Sequence, residues 1–416
     1  MKKIVMFDGE IETQQYFTYR MRERFQSLGH EVYTFNLSQT GKSLTGLMRF
    51  VERGNTALVC FNFHGITPGD VFQDEEDGHW FWDDLEITCY NIVVDHPFYY
   101  HRFLEMAPKR YVHISIDRYH DAYMKEYFPH IVRIPFLPLA GTQIDISQDY
   151  PQADYTEYGY MSLKDRPIDI VFTGNYSPLY KLDKYITRLG EEYEVFYRGI
   201  IQELLDHPDR ILEDVVKKHI LREIPTATKE EIRETLGNQV FLDLYVRSYV
   251  RGKAVQVLVD HGFKVAVFGD GWDELTCKHP ENIIGGKGVS SEVCLQMIAQ
   301  AKVSLNVMPW FKDGAHDRVF NTLLNGALLV TDDSIYLRSI LKDGENCIMF
   351  SLDTIEEMPK KLEMLLNDEK RLQQVIKSGY NTAIGKHTWK ERAEFLSEIL
   401  EKDVFAGISF HESESI

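Results

Sequence analysis

The chain has 416 residues, of which 44% are hydrophobic and 26% charged, the proportions of an ordinary globular protein too long for a single core. Its 64 acidic and 46 basic side chains leave a net charge of −18, which excludes broad attraction to nucleic acid or an anionic membrane. An anionic small ligand remains compatible with that charge, because a helix N-terminus and a few local cations suffice to hold it.

The start, MKKIVMFDGE, carries only a short apolar run before Asp8, too short for a secretory signal, and no segment approaches the length of a membrane span. Apolar runs then recur at 4–7, 32–35, 57–63, 92–94, 111–114 and 132–136, mostly with helix-length intervals between them. Runs that are apolar on both faces and spaced in this way predict parallel strands of a doubly wound sheet. Residues 13–29 fit the first crossover helix, with Tyr16, Phe17, Met21, Phe25 and Leu28 on one face and Gly29 as its stop. A first domain over 1–150 follows.

Polar, turn-rich sequence from 139 to 167 reads as a linker. Beyond it a second set of strands is expected at 168–172, 265–268, 303–307, 327–330 and 347–350, within a domain over 166–385. Between its first two strands, residues 180–250 read as inserted amphipathic helices broken at Pro208 and Pro225. Closing helices run through 355–402, with 386–404 crossing back to the first domain and 405–416 a tail. Cys60, Cys89, Cys277, Cys294 and Cys347 form no CxxC pair and read as reduced core residues of a cytoplasmic protein.

Three strand ends carry chemistry. In HDRVFNTLLNGALLVTDD (316–333), Val319, Phe320, Leu323 and Leu324 make one helical face and Gly326 ends the helix before a buried strand. His316 and Arg318 then stand at a helix N-terminus beyond a strand's carboxyl end, where free amides and a guanidinium suit a phosphate. A surface arginine paired with Asp317 or Asp313 is the plain alternative. VAVFGDGWDE (265–274) and IDIVFTGNYSP (168–178) add Gly269, Gly271, Gly174 and Asn175 at two further strand ends.

RPIDIVFTGNYSP, VAVFGDGW, NIIGGKGV, AKVSLNVMPWFKDGAHDRVFNTLLNGALLVTDD and GKHTWKERAEFL occur in the order seen in CgeB-like, spore-maturation-type glycosyltransferases of the GT-B fold, which the chain resembles over 166–400. The resemblance implies two Rossmann-like lobes facing a cleft, a nucleotide-diphospho-sugar donor (a UDP-sugar) in the C-terminal lobe, and a glycan or protein acceptor hydroxyl at the N-terminal lobe. No metal and no separate cofactor is implied. It places Arg318 near the diphosphate and Gly269–Trp272, Gly288 and Val289 near the nucleotide, with His316, Val319 and Phe320 among the donor-binding residues. One departure stands out: the two glutamates of many retaining relatives correspond here to Asp313 and Asn321, so Asn321 offers the ribose an amide and no charge.

In the first domain, NIVVDHPFYYHRF (91–103) places Asp95 and His96 at a strand's carboxyl end, where a carboxylate or imidazole can take a proton from an acceptor hydroxyl. SIDRYHD (115–121) places Asp117, Arg118 and His120 at the next strand end, and His64 follows the third strand; capping and packing are the competing roles. No HExxH motif or Cys/His pairing marks a metal site. A nucleotide-sugar epimerase and a non-catalytic glycan- or partner-binding protein are the alternatives to a transferase.

Overall fold

The computed structural model describes residues 2–9, 11–74, 76–402 and 404–405. Those within 1–138 and 389–405 form one compact unit and those within 139–388 the other.

The first unit is a six-stranded parallel sheet of β1 (Lys3–Asp8), β2 (Glu31–Asn36), β3 (Thr56–Phe61), β4 (Thr88–Val93), β5 (Tyr111–Ser115) and β6 (Val132–Ile134), in the order β2-β1-β3-β4-β5-β6. β3 and β4 are buried along their whole length, as central strands covered by helices on both faces must be. β3 is shorter than its apolar run, because Asn62 (φ 43) and Phe63 (φ 68) leave the extended conformation. The helix Glu12–Ser27 buries Tyr16, Phe17, Met21 and Phe25. Against it packs the helix Trp389–Leu400: the Phe17 and Trp389 rings lie 4.6 Å apart, Arg24 pairs with Glu394, and His30 bonds Ser397 at 2.6 Å.

The second unit holds β7 (Ile168–Thr173), β8 (Val265–Phe268), β9 (Ile283–Gly285), β10 (Ala301–Asn306), β11 (Leu328–Asp332) and β12 (Ile348–Phe350), all parallel, in the order β12-β11-β10-β7-β8-β9. The chain starts in the middle at β7, walks out to β9, and returns to the other side of β7 with β10. Between β7 and β8 come the helices Tyr180–Thr187, Glu191–Asp206, Leu212–Glu223, Lys229–Gly237 and Val240–Asp260, with Pro208 and Pro225 in the loops between them. The last of these has 21 residues and is the crossover helix proper.

The stretch 139–167, expected as a linker, belongs to the second unit. Arg166 anchors it: 2% exposed, its guanidinium donates to the carbonyls of Met161 (2.9 Å), Ala301 (2.6 Å) and Asn325 (2.9 Å). Upstream, Asn321 and Asn325 take the Thr142 and Ile144 amides at 2.8 and 3.0 Å, so two side chains act as a strand edge for the passing backbone. The short β9, with Gly285 in it, has too little apolar sequence to be read from its residues.

Candidate functional site

Between β7 and β10 the sheet reverses its winding, so the connections from their carboxyl ends diverge and leave a crevice. The helix Asp317–Leu324 opens beside it, following β10 and the loop 307–316. Its first turn is capped by His316, whose Nδ1 accepts the Arg318 amide at 3.3 Å. Burial, and then the Arg318 charge, hold His316 down to about 4, so the ring is neutral at physiological pH.

Arg318 fills the crevice. Nη1 donates to the Thr173 carbonyl at the end of β7, Nε to Asn306 Oδ1 at the end of β10 (3.2 Å), and Nη2 to the Val307 carbonyl (3.3 Å). Every guanidinium nitrogen is bonded to the chain, and the residue is 7% exposed. Where strands part, their last carbonyls lose ladder partners, and this side chain supplies donors. The arginine expected to meet a ligand thus staples the two strand ends in this structure.

A second guanidinium at the same edge, not among the residues expected from the sequence, is less satisfied. The helix Val240–Asp260 carries Asp243, Arg247 and Arg251 at successive turns of one face. Asp243 grips Arg247 at two points, Nε–Oδ1 3.0 Å and Nη2–Oδ2 2.6 Å. Arg251 makes one bond, from Nη1 to the Asn175 carbonyl at 3.3 Å, while its Nε is buried without a partner. Burial, then Arg318, then Arg247 push its pKa well below the usual arginine value, and Asp243 and Asp332 only partly offset them. A guanidinium does not deprotonate near neutrality, so Arg251 stays charged beside two other arginines, half-buried and with a single hydrogen bond to the chain. Arg166 shows the contrast: more deeply buried than Arg251, it has carbonyls for all its nitrogens.

Around Arg251 the three glycine-bearing loops form one hydrogen-bonded rim. The Asp270 amide donates to Asn175 Oδ1 (2.9 Å), the Gly288 amide donates to Asp270 Oδ1 (3.0 Å), and Trp272 Nε1 donates to the Gly174 carbonyl (2.8 Å). Gly269 has φ 155, and a Cβ added there would lie 2.2 Å from the Gly174 oxygen. The glycine therefore permits loop-on-loop contact. Trp272 is buried and stacks on Tyr176 at 5.2 Å, which makes it a support beneath the rim. Val289 is 39% exposed on the outer loop.

Three of the expected donor contacts lie underneath. Val319 and Phe320 are fully buried, and Phe320 stacks on His387 at 4.6 Å. Asn321, which also donates to Asp317 Oδ2 at 2.9 Å, is occupied by the Thr142 amide. At the end of β11, both oxygens of Asp332 accept the Met308 amide (2.9 and 3.0 Å), and burial raises its pKa to about 7.

In the first unit, Asp95 lies just beyond β4 and is half-buried. Its Oδ2 accepts from Asn62 Nδ2 at 2.9 Å and from the Tyr100 hydroxyl at 3.1 Å. Burial, and then Asp95, raise the Tyr100 pKa, which keeps that hydroxyl a donor. The other two expected catalytic groups have structural tasks. His96 Nδ1 caps the turn Pro97–Tyr100 by accepting the Phe98 amide (3.2 Å), and its ring packs on Phe98 and His120. Asp117, fully buried, caps the helix Arg118–Tyr127 through the Tyr119 amide (2.8 Å). Burial lowers the pKa of both His64 and His120. Among the described residues no group of three His, Cys, Asp or Glu converges on a metal position, and no helix is long and apolar enough to cross a membrane.

Residues 251–398 match a family described as glycosyl transferase-like. No curated protein matches the sequence. Among solved structures, the chain is similar to an alpha-glucosyltransferase in complex with UDP and a 13-mer DNA containing a HMU base, at 11% identity and TM-score 0.51, over 96% of this chain and 99% of that one. It is likewise similar to a sucrose-phosphate synthase from Thermosynechococcus elongatus, at 7% identity and TM-score 0.50, over 96% and 98% of the two chains. At such identities the likeness is one of fold, and it fits the two parallel sheets: the chain has the two-lobed α/β architecture called GT-B.

Proposed function

We propose that the chain is a CgeB-like glycosyltransferase of the cytoplasm, which moves a hexose from a UDP-linked donor to a hydroxyl of a glycan or protein without a metal. The observation that carries this reading is the unpartnered, buried Nε of Arg251, set beside Arg318 and Arg247 at the switch point of the second sheet. A diphosphate there would neutralise the excess charge and accept the free donor. The glycosyl transferase-like match begins at Arg251 and spans the rim loops and the helix Asp317–Leu324, and the similar alpha-glucosyltransferase was captured with UDP.

In the transfer, the acceptor oxygen forms a bond to the sugar's anomeric carbon while the bond from that carbon to the β-phosphate oxygen breaks. The electron pair leaves on the diphosphate, and the acceptor proton passes to Asp95. Arg251, the rim amides and the opening of the helix Asp317–Leu324 stabilise the departing charge, held in place beforehand by the staples around them.

The test is a thermal-shift panel of UDP, GDP, ADP and their sugar derivatives on the full chain, followed by transfer assays with the donor selected. UDP and UDP-sugars should raise the melting temperature selectively, because a ligand that binds only the folded state stabilises it. A flat response across the panel rejects the transferase reading.

A further inference from the structure

The turn after β3 is built in a costly way. Asn62 and Phe63 are adjacent, buried, and both in the left-handed region with side chains attached, and Gly65 (φ 77) follows two residues later. Glu86 (φ 53) also has positive φ, but it is exposed in a turn before β4. Buried left-handed residues other than glycine persist only where their surroundings over-determine them, and they collect at functional sites.

The hydrogen bonds show what the turn achieves. The Asn62 amide continues the ladder to the Ile92 carbonyl (3.1 Å), and Asn62 Oδ1 accepts the Val94 amide (2.8 Å). Its Nδ2 is thereby aimed at Asp95 Oδ2, which also takes the Tyr100 hydroxyl. Asn91 fixes the next residue, accepting the Phe63 amide at 3.0 Å while its own Nδ2 donates to the Tyr111 hydroxyl at 3.0 Å. One oxygen of Asp95 is thus anchored by donors from two elements, while Oδ1 makes no hydrogen bond among the described residues. A glycine would suit the backbone at 62 with less strain, but it could neither hold Val94 nor reach Asp95.

We propose that Asn62 and Tyr100 are positioning residues, which lock the Asp95 carboxylate in one rotamer and so aim its free oxygen at the acceptor hydroxyl. This rests on the reading of Asp95 as the group that receives the acceptor proton.

The experiment follows UDP release from UDP-glucose by the full chain, with water as acceptor, for wild type, Asp95→Ala, Asn62→Gly, Tyr100→Phe and the double variant Asp95→Ala with Asn62→Gly. Asp95→Ala should lower kcat by about 100-fold or more, the usual worth of a general base. Asn62→Gly and Tyr100→Phe should each lower kcat about tenfold with the donor KM unchanged, as expected for the loss of one bond to a charged group. Asn62→Gly should melt somewhat earlier than wild type, since the Val94 amide loses its acceptor, so kcat is compared well below both melting temperatures. In the Asp95→Ala background, Asn62→Gly should cost nothing further.

Wild-type kcat in both single variants beside an inactive Asp95→Ala overturns the proposal. So does an Asn62→Gly loss that persists undiminished without Asp95. Full turnover by Asp95→Ala removes it together with the role of Asp95 alone, and absence of UDP release from wild type removes it together with the proposed function.

Discussion

Replacing Arg251 by methionine separates a ligand-binding cation from a structural one, because the two roles predict opposite changes in two measurements. Methionine keeps most of the stem's volume and removes the charge. In the free protein the loss is one 3.3 Å bond to the Asn175 carbonyl, worth about 1 kcal/mol. Against it stands relief of burial and of repulsion from Arg318 and Arg247. Removing a half-buried charge that stands beside two like charges relieves both desolvation and repulsion, which offsets a bond of that size. The free variant should therefore melt at or above the wild-type temperature. With UDP bound, the variant lacks up to two charge-assisted bonds of about 1.5 kcal/mol each. A total of about 3 kcal/mol corresponds to roughly 100-fold weaker binding. Calorimetric titration with UDP, run beside thermal melts without ligand, checks both signs. Wild-type affinity combined with earlier melting would show that Arg251 holds structure and meets no diphosphate.

Three other substitutions have expected outcomes. Arg318→Ala strips donors from the Thr173 and Val307 carbonyls and from Asn306 Oδ1; about 3 kcal/mol should be lost, lowering the melting temperature by about 6–12 °C by circular dichroism. Asn321→Ala frees the Thr142 amide, which should cost about 1–3 kcal/mol of stability. Its UDP affinity by calorimetry should stay within about twofold of wild type; a larger loss would place Asn321 on the ligand after all. For Asp332, whose folded pKa of about 7 lies above its unfolded value, ionisation is harder in the folded state, so its contribution to stability falls as pH rises from about 4 to about 7. Urea denaturation should show Asp332→Asn gaining on wild type between pH 5 and pH 8, and a constant difference would contradict the shift.

Much of the framework was legible because it depends on local chemistry. Apolar runs flanked by helix-length amphipathic stretches, as at β3, β7 and β10, can be buried only in a covered parallel sheet. The helix ending at Gly326 was readable from its apolar face and its glycine stop. Arg251 was overlooked although a signal existed: charges at 243, 247 and 251 recur every four residues along a largely apolar helix, which also carries Lys253 and Asp260, leading into VAVFGDG. His96 and Asp117 were placed at the correct strand ends, but nothing in their neighbours' identities shows that each caps a turn. Asn62 was read as the tail of a strand, since a run of apolar residues does not reveal where the backbone turns left-handed.

The residues by themselves determined the two doubly wound sheets, the inserted helices and the glycine-bearing strand ends, because hydrophobic period and turn chemistry act over a few positions. Which arginine is satisfied depends on contacts far apart in the chain. Arg318 meets a carbonyl 145 residues away, at the end of a strand adjacent in space, whereas Arg251 keeps an unpartnered donor at the same edge. Whether a buried charge is a staple or a receptor depends on how many acceptors the fold brings within hydrogen-bond reach, and sequence spacing does not contain that count.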